Sequence, residues 1–234
     1  MCGRFGSYLL PDEIRRIFHI RSEPENEPEW LPSWNVCPTQ KVPIVLGAEE
    51  DGAPRRVDVL RWGFVPRWAA DLKDTRQPIN ARAETVAKSG IFRDSFVRRR
   101  CLVPAGVFYE WQRIPGQRQK QPYAIARVDG QPMALAGLWE TWRAPHESRE
   151  LRTFTIVTTA ANEDVMPLHH RMPVIIKEAD WSVWLGEEPG SPRDLLRASP
   201  NSTLRSWPIS TKVNSPANNG AELVQPLALV GTGI

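Results

Sequence analysis

The chain has 234 residues with 30 Lys and Arg against 27 Asp and Glu, a formal charge of +3, which excludes an extreme polybasic or acidic tail protein. Because 41% of the residues are hydrophobic and 24% are charged, the composition also excludes a disordered chain and predicts one globular domain over residues 1–234. No run approaches the roughly 18 apolar residues of a membrane helix, and the N-terminus lacks the apolar core of a secretory signal. We therefore expect a cytoplasmic protein without membrane contact.

The first predicted element is a helix over residues 11–20, where Pro11 suits the first helical turn. An acidic loop broken by prolines follows over residues 22–32. Most of the remaining predicted elements are short strands bounded by turn signals. They cover residues 42–46, 57–64, 101–111, 123–128, 133–141, 154–159, 174–176 and 203–209.

Two further helices are predicted over residues 84–97, with a break near Gly90, and over residues 178–185. Many short strands with few helices indicate an α+β fold, a single domain built on a mostly antiparallel, barrel-like sheet. The residues from about 221 to 234 have weak periodicity, and we expect them to form a loose tail.

The near-neutral charge is unevenly distributed along the chain. Residues 55–127 carry sixteen Lys and Arg against six Asp and Glu, so this middle part has a charge of +10 and the remainder −7. The same stretch interleaves aromatic residues with its charges, a composition typical of a groove that follows phosphates and stacks bases. A solvated basic surface over an ordinary aromatic core explains the composition equally well.

The three cysteines are far apart in the sequence and form no CxxC pair, which argues against a disulfide framework or a zinc module. Cys37 and Cys101 lie among apolar or proline residues and are predicted to be core residues. Cys2 differs, since excision of Met1 makes it the N-terminus, with an amine and a thiol on adjacent carbons. It then acts as an N-terminal nucleophile on a carbonyl, condenses with an aldehyde to a thiazolidine, or is simply a frayed terminus.

Four short segments occur in a fixed order along the chain, at residues 2–5 (CGRF), 80–85 (NARAET), 106–111 (GVFYEW) and 169–173 (HHRMP). Further matching pieces stand at residues 34–38, 62–63 and 213–214. In this combination the sequence resembles the SOS-response-associated peptidase (SRAP) family, whose members shield abasic sites in single-stranded DNA. The resemblance covers roughly residues 2–220.

The resemblance implies four catalytic residues. Cys2 is the covalent nucleophile that traps the open-chain aldehyde of an abasic sugar as a thiazolidine. Glu110, on an aromatic strand that can raise its pKa, assists opening of the sugar ring. His169 is the second acid or base, with His170 as accessory and an exchange of the two left open. Asn80 holds the terminal amine or a sugar oxygen, although a cap or turn role is also open.

The resemblance also implies a set of DNA contacts. Guanidinium groups suit the phosphates that flank an extruded sugar, and a tryptophan at the position of Trp68 suits stacking on a base. The residues assigned to DNA binding are Arg4, Pro38, Trp68, Arg82, Thr158 and Arg171, with a buried structural threonine as the alternative for Thr158.

We expect a monomer that needs no cofactor and binds no metal, since adjacent His169 and His170 converge poorly on one ion. The expected partner is single-stranded DNA with an abasic site, also at a junction with duplex, so the protein is nucleoid-associated when it is bound. The family name further implies that the protein itself removes Met1. Two alternatives remain: an N-terminal nucleophile hydrolase or amidotransferase acting on amides, and a plain single-stranded DNA binder.

Overall fold

A computed structural model describes residues 2–21, 28–48, 53–116, 118–144 and 150–227. These residues form twelve strands, three α-helices and short 3₁₀ helices. The strands are β1 (Phe5–Ser7), β2 (Ser33–Val36), β3 (Lys41–Leu46), β4 (Arg56–Trp62), β5 (Asn80–Arg82), β6 (Arg100–Ala105), β7 (Val107–Gln112), β8 (Gln121–Arg127), β9 (Met133–Arg143), β10 (Glu150–Ala160), β11 (Arg171–Pro173) and β12 (Leu204–Pro208). The helices are α1 (Pro11–Ile17), α2 (Arg93–Arg98) and α3 (Trp181–Leu185), and the 3₁₀ helices are Glu178–Asp180, Thr211–Asn214 and Ala221–Val224.

Five strands close into a barrel in the order β10, β4, β3, β6 and β9, because β9 pairs back onto β10. Four of the five pairings are antiparallel, and β10 runs parallel to β4. The far half of β10 leaves β4 and pairs with β5 and β11 instead. Large apolar side chains such as Trp62 and Phe154 fill the interior. The predicted α+β fold with a mostly antiparallel, barrel-like sheet is confirmed.

A second, antiparallel sheet has the order β12, β8, β7, β1 and β2. It brings the N-terminal strand β1 against β7, with Phe5 opposite Phe108. The chain passes from the barrel to this sheet at Gly106, whose N–H donates to the Gly6 carbonyl over 2.9 Å. A Cβ at Gly106 would collide with the Tyr8 ring, so any larger residue would force that ring to move. The single strand predicted over residues 101–111 is therefore wrong: β6 and β7 belong to different sheets.

Other boundaries also differ from those predicted. Residues 83–92 form turns rather than the first half of a helix, and α2 begins only at Arg93, after the break at Ser89 and Gly90. The strand expected at residues 174–176 lies earlier, at β11.

The loop at residues 22–27 and the chain end at 228–234 lie outside the described residues. Leu223, before that end, is buried against β7 and β8. None of the described helices is long and apolar enough to cross a membrane.

Candidate active site

Cys2 lies three residues before β1, is fully buried, and is attached to the barrel through Asn80. The Asn80 side-chain Nδ2 donates to the Cys2 carbonyl oxygen over 2.9 Å. Asn80 reaches this point because β5 pairs in parallel with β10, with Asn80 opposite Ile156. The Asn80 Oδ1 is buried and accepts no hydrogen bond from the described residues. The site therefore contains an amide oxygen that can accept from a new donor close to Cys2.

Glu110 faces the same region from β7 and is 4% exposed. The pairing of β1 with β7 places it there, since the Tyr109 N–H donates to the Arg4 carbonyl over 3.0 Å. Burial raises the pKa of the Glu110 carboxyl above its ordinary value, while the amino-terminal charge and Lys120 oppose the rise. Burial, and after it the charge of Glu110, raise the pKa of the Cys2 thiol. The thiol is consequently protonated and the carboxyl is able to exchange protons nearer neutral pH.

His169 stands before β11, and a backbone hydrogen bond fixes the direction of its ring. The Arg171 N–H donates to His169 Nδ1 over 2.9 Å, so the neutral ring carries its proton on Nε2. Burial lowers the pKa of His169, and the amino-terminal charge and His170 lower it further. The two histidine rings stack with their centroids 4.3 Å apart. His169 is therefore a neutral Nε2–H donor at neutral pH.

Arg4 is fixed next to the site by Asn35, which is 1% exposed. Arg4 Nη1 donates to Asn35 Oδ1 and to the Val213 carbonyl, both over 2.7 Å. Asn35 Nδ2 in turn donates to the carbonyls of Val213, Ser215 and Asn218 over 3.3, 3.0 and 2.7 Å. One buried amide thus joins β2, the arginine beside Cys2 and the segment at residues 211–219.

Arg171 is held by Glu84 and by β10. Its Nη1 and Nη2 donate to the two Glu84 carboxylate oxygens over 2.6 and 3.0 Å, and Nη2 also donates to the Thr158 carbonyl over 2.6 Å. The Thr158 side chain is fully buried and donates to the Ala81 carbonyl over 3.4 Å. The Arg171 guanidinium is therefore held at a fixed position. The Thr158 hydroxyl is buried between neighbouring strands and is not exposed on the surface of the site.

The remaining residues assigned to DNA binding are Arg82, Pro38 and Trp68. Arg82 is exposed at the end of β5, opposite Thr158. Pro38 lies in the turn between β2 and β3, and Trp68 lies in the loop after β4 with 66% of its surface exposed. An exposed tryptophan of this kind offers a ring face to a flat ligand.

Two residues that shape the site had no role assigned from the sequence. Glu84 and Asn35 lie within the motif segments at residues 80–85 and 34–38, but their ion pair and hydrogen bonds join parts of the chain that are far apart in sequence. Cys37 and Cys101 are buried and free, as core cysteines are. Among the described residues no group of three or more His, Cys, Asp or Glu side chains forms a potential metal site.

Comparison with known proteins gives one consistent result. A family profile described as SOS response associated peptidase (SRAP) matches residues 1–216. The chain is 38% identical over 229 residues to the abasic site processing protein YoqW of Bacillus subtilis, covering 96% of this chain and 99% of that protein. It is 31% identical to the abasic site processing protein YedK of Escherichia coli, covering 97% and 100% of the two chains.

More distant relatives and solved structures agree. The abasic site processing protein HMCES of Gallus gallus is 29% identical, with 98% of this chain and 79% of that protein covered. A crystal structure of a protein from Bacteroides thetaiotaomicron superposes with a TM-score of 0.80 at 23% identity, covering 97% of this chain and all of the other. This likeness establishes the fold.

Proposed function

Since the chain belongs to the SOS response associated peptidase (SRAP) family, we propose that it processes abasic sites in single-stranded DNA by forming a covalent thiazolidine through Cys2. The observation that carries the proposal is the placement of Cys2 between Asn80 and Glu110. An N-terminal cysteine held in this way presents its amine and thiol to one electrophilic carbon. The abasic sugar supplies that carbon as the C1′ aldehyde of its ring-opened form.

Ring opening is the first step, and Glu110 suits it. The closed sugar is a hemiacetal, so opening it moves a proton from the C1′ hydroxyl to O4′. A buried carboxyl with a raised pKa takes up and releases protons near neutral pH more readily than an ordinary glutamate. Glu110 therefore serves as the acid and base of this step.

The amine then attacks before the thiol. Removal of Met1 by hydrolysis frees the Cys2 amine, which adds to C1′; loss of one water gives an imine. The raised pKa keeps the Cys2 thiol protonated in the resting protein, so the thiol is the weaker nucleophile at first. Its sulfur then adds to the imine carbon, and its proton goes to the imine nitrogen, which closes the five-membered ring.

His169 and Asn80 support the same steps. The Nε2–H of neutral His169 donates to the oxygen that leaves C1′ as water, and the Nδ1 hydrogen bond keeps the ring in this orientation. The Asn80 Oδ1 accepts from the Cys2 amine while Nδ2 holds the Cys2 carbonyl. Both residues also take part in the reverse reaction, which releases the DNA.

The DNA strand lies across the rim of the site. Arg4, Arg82 and Arg171 contact the phosphates around the abasic sugar, and the buried Thr158 holds Arg171 through its carbonyl. Pro38 borders the pocket, and the exposed ring of Trp68 supports a neighbouring base. The adduct shields the abasic site from strand cleavage for as long as it persists.

The test is incubation of Met1-free protein with three oligonucleotides that differ at one position: an abasic site, an abasic site reduced to its alcohol, and an intact base. We expect a denaturant-stable adduct with the abasic oligonucleotide alone, and none from Cys2→Ala. An adduct that persists in Cys2→Ala, or amide hydrolysis by the DNA-free protein that depends on Cys2, would contradict the proposal.

A further inference from the structure

The turn between β2 and β3 holds one residue in a strained backbone conformation. Thr39 has a φ of 76°, in the left-handed region. A β-branched residue is an outlier there because its side chain crowds the backbone, whereas glycine adopts this conformation readily. Among the described residues, the other non-glycine residues with positive φ are His19 and Ser202, and neither is β-branched. Backbone strain of this kind is commonly found at functional sites.

Backbone pairing with the end of β4 holds Thr39 in this conformation. The Thr39 N–H donates to the Trp62 carbonyl over 2.7 Å, and the Trp62 N–H donates to the Gln40 carbonyl over 2.9 Å. Within the turn, the Gln40 side-chain oxygen accepts from the Cys37 N–H over 2.9 Å. The contacts around Thr39 therefore fix its backbone on both sides, and the strain persists because they outweigh it.

The Thr39 side chain does not stabilise the fold in a way that explains the strain. Thr39 is exposed, so its methyl group buries little apolar surface. Its hydroxyl forms no hydrogen bond with another of the described residues. It follows Pro38, which borders the pocket in the proposed function. The hydroxyl is thus available to a ligand beside a residue already assigned to DNA binding.

Two cations lie next to this turn. Lys41 and Arg61 are directly opposite each other on β3 and β4, so their side chains are neighbours on one face of the sheet. Burial lowers the pKa of Arg61, and no carboxylate of the described residues opposes this effect. Like charges in this arrangement repel, and a bound anion would relieve the repulsion. We call Thr39, Lys41 and Arg61 the turn cluster.

We propose that the turn cluster binds one phosphate of the abasic single strand, and that Thr39 is held in its strained conformation to supply a hydroxyl donor; this inference rests on the proposed function. Arg61 Nη1 donates to the Gly63 carbonyl over 3.3 Å, at the start of the loop that carries Trp68. The cluster thus lies between this loop and Pro38. A phosphate accepts hydrogen bonds from a hydroxyl and from cationic donors together.

Three substitutions of Thr39 separate the strain from the contact. Thr39→Gly relieves the strain and removes the hydroxyl, Thr39→Val keeps the branched shape without the hydroxyl, and Thr39→Ser keeps the hydroxyl. Ser202→Gly is the matched control, since Ser202 is exposed, has a φ of 64° and lies outside the cluster. Each Met1-free protein is measured by urea unfolding and by reversible binding to a single-stranded oligonucleotide with a tetrahydrofuran abasic analogue, which has no aldehyde.

Thr39→Gly and Ser202→Gly should both unfold at a higher urea concentration than the wild type, because each relieves a left-handed residue. Thr39→Gly and Thr39→Val should bind the analogue about tenfold more weakly, in line with one lost hydrogen bond to a charged group, and Thr39→Ser within about threefold of the wild type. Ser202→Gly should bind as the wild type does. Wild-type affinity in Thr39→Val, an equal loss in Thr39→Ser or Ser202→Gly, or no gain in stability in Thr39→Gly would overturn the proposal.

Lys41→Ala tests the charge of the cluster, with Lys177→Ala as its control at an exposed lysine on a different cleft. In Lys41→Ala the slope of log K against log salt should become shallower by about 0.7, the value for one phosphate contact of a single strand. An unchanged slope, or an equal change in Lys177→Ala, would contradict this phosphate site. Crosslinking of the wild type to abasic DNA tests the proposed function separately: if it occurs while the cluster variants bind normally, the inference alone fails.

Discussion

The Asn80 side-chain amide donates to the carbonyl of Cys2 over 2.9 Å and so attaches the N-terminal cysteine to the barrel. The contact joins β5 to the residue that precedes β1, two parts of the chain that are 78 residues apart. It restrains a segment that would otherwise fray, as chain ends commonly do. The amine and thiol of Cys2 are thereby held in a fixed relation to Glu110.

Asn80→Ala removes this attachment. We expect the adduct to form about 3- to 10-fold more slowly, in line with one lost hydrogen bond, while reversible affinity for analogue DNA stays the same. Asn80→Asp should be slower than Asn80→Ala, because a carboxylate repels the Cys2 carbonyl. The measurement is single-turnover crosslinking followed on denaturing gels. Equal rates for the wild type and both variants would refute the assigned role.

Glu110→Gln keeps the shape of the side chain and removes its proton exchange. Crosslinking should slow by about 10²- to 10⁴-fold, the usual contribution of a general acid or base. In the wild type the rate should rise with pH through the Glu110 pKa, which burial places above its ordinary value of 4.5. In Glu110→Gln this limb should be absent. A pH profile of the variant that matches the wild type would exclude Glu110 as the titrating group.

The raised pKa of Glu110 also predicts how the stability of the folded protein changes with pH. Its raised pKa means that the folded protein is favoured while the carboxyl is protonated, and this contribution is lost as pH rises through the folded-state pKa. Glu110→Gln should therefore have a higher Tm than the wild type at neutral pH. The difference should vanish below pH 4.5, where both states are protonated.

His169→Ala should slow release of DNA from a preformed adduct, by at least about tenfold. His170→Ala should leave the rate within about threefold, but it should raise the pKa of His169, because the charge of His170 lowers that pKa. The acid limb of the pH profile should then move to higher pH. The check is transfer of the protein from its adduct to a labelled competitor oligonucleotide. The reverse ranking of the two variants would assign the role to His170.

Asn35→Ala should both destabilise the protein and weaken DNA binding. The substitution deprives Arg4 of an acceptor and leaves carbonyls of residues 213, 215 and 218 without their donor, a loss of about 2–4 kcal/mol in the free energy of unfolding. Urea unfolding measures it. The control is Asn201→Ala, at an exposed position where the side-chain oxygen accepts from one backbone N–H. This substitution should cost under about 1 kcal/mol. Equal costs would show that the buried network contributes nothing.

Trp68→Ala should lower reversible affinity for single-stranded analogue DNA by about 5- to 150-fold, the equivalent of 1–3 kcal/mol of stacking. Since the ring is 66% exposed, Tm should change little. Leu31→Ala, at an 87% exposed apolar side chain, is the matched control and should leave affinity unchanged. A loss in Tm that parallels the loss in affinity would mean that Trp68 acts through the fold.

The sequence predicted the fold class because strand-like runs with turn signals are a local property of the chain. Boundaries failed where a tertiary contact decides the structure, as at Gly106, where the Tyr8 ring and the Gly6 carbonyl divide one run into β6 and β7. For the site, too, a local property could be predicted from the sequence. An aromatic strand around Glu110 indicated a raised pKa, and burial raises it.

The partners of each site residue were not predictable from local sequence. The pairing of Arg171 with Glu84 depends on β10 lying between β5 and β11, and the hydrogen bond of Asn80 to Cys2 depends on the position of β1. Such contacts span 78 residues or more, beyond the reach of any periodicity. The order of the motifs identified these residues, whereas their contacts follow from the fold.

Intact mass spectrometry of the adduct shows whether Cys2 closes a thiazolidine on the abasic sugar. We expect a mass equal to that of Met1-free protein plus abasic oligonucleotide less one water. Peptide mapping should locate the adduct at Cys2, and borohydride should leave its mass unchanged, since a thiazolidine has no C=N bond to reduce. A mass that rises by two hydrogens on reduction, or an adduct mapped to any residue other than Cys2, would contradict thiazolidine closure at Cys2.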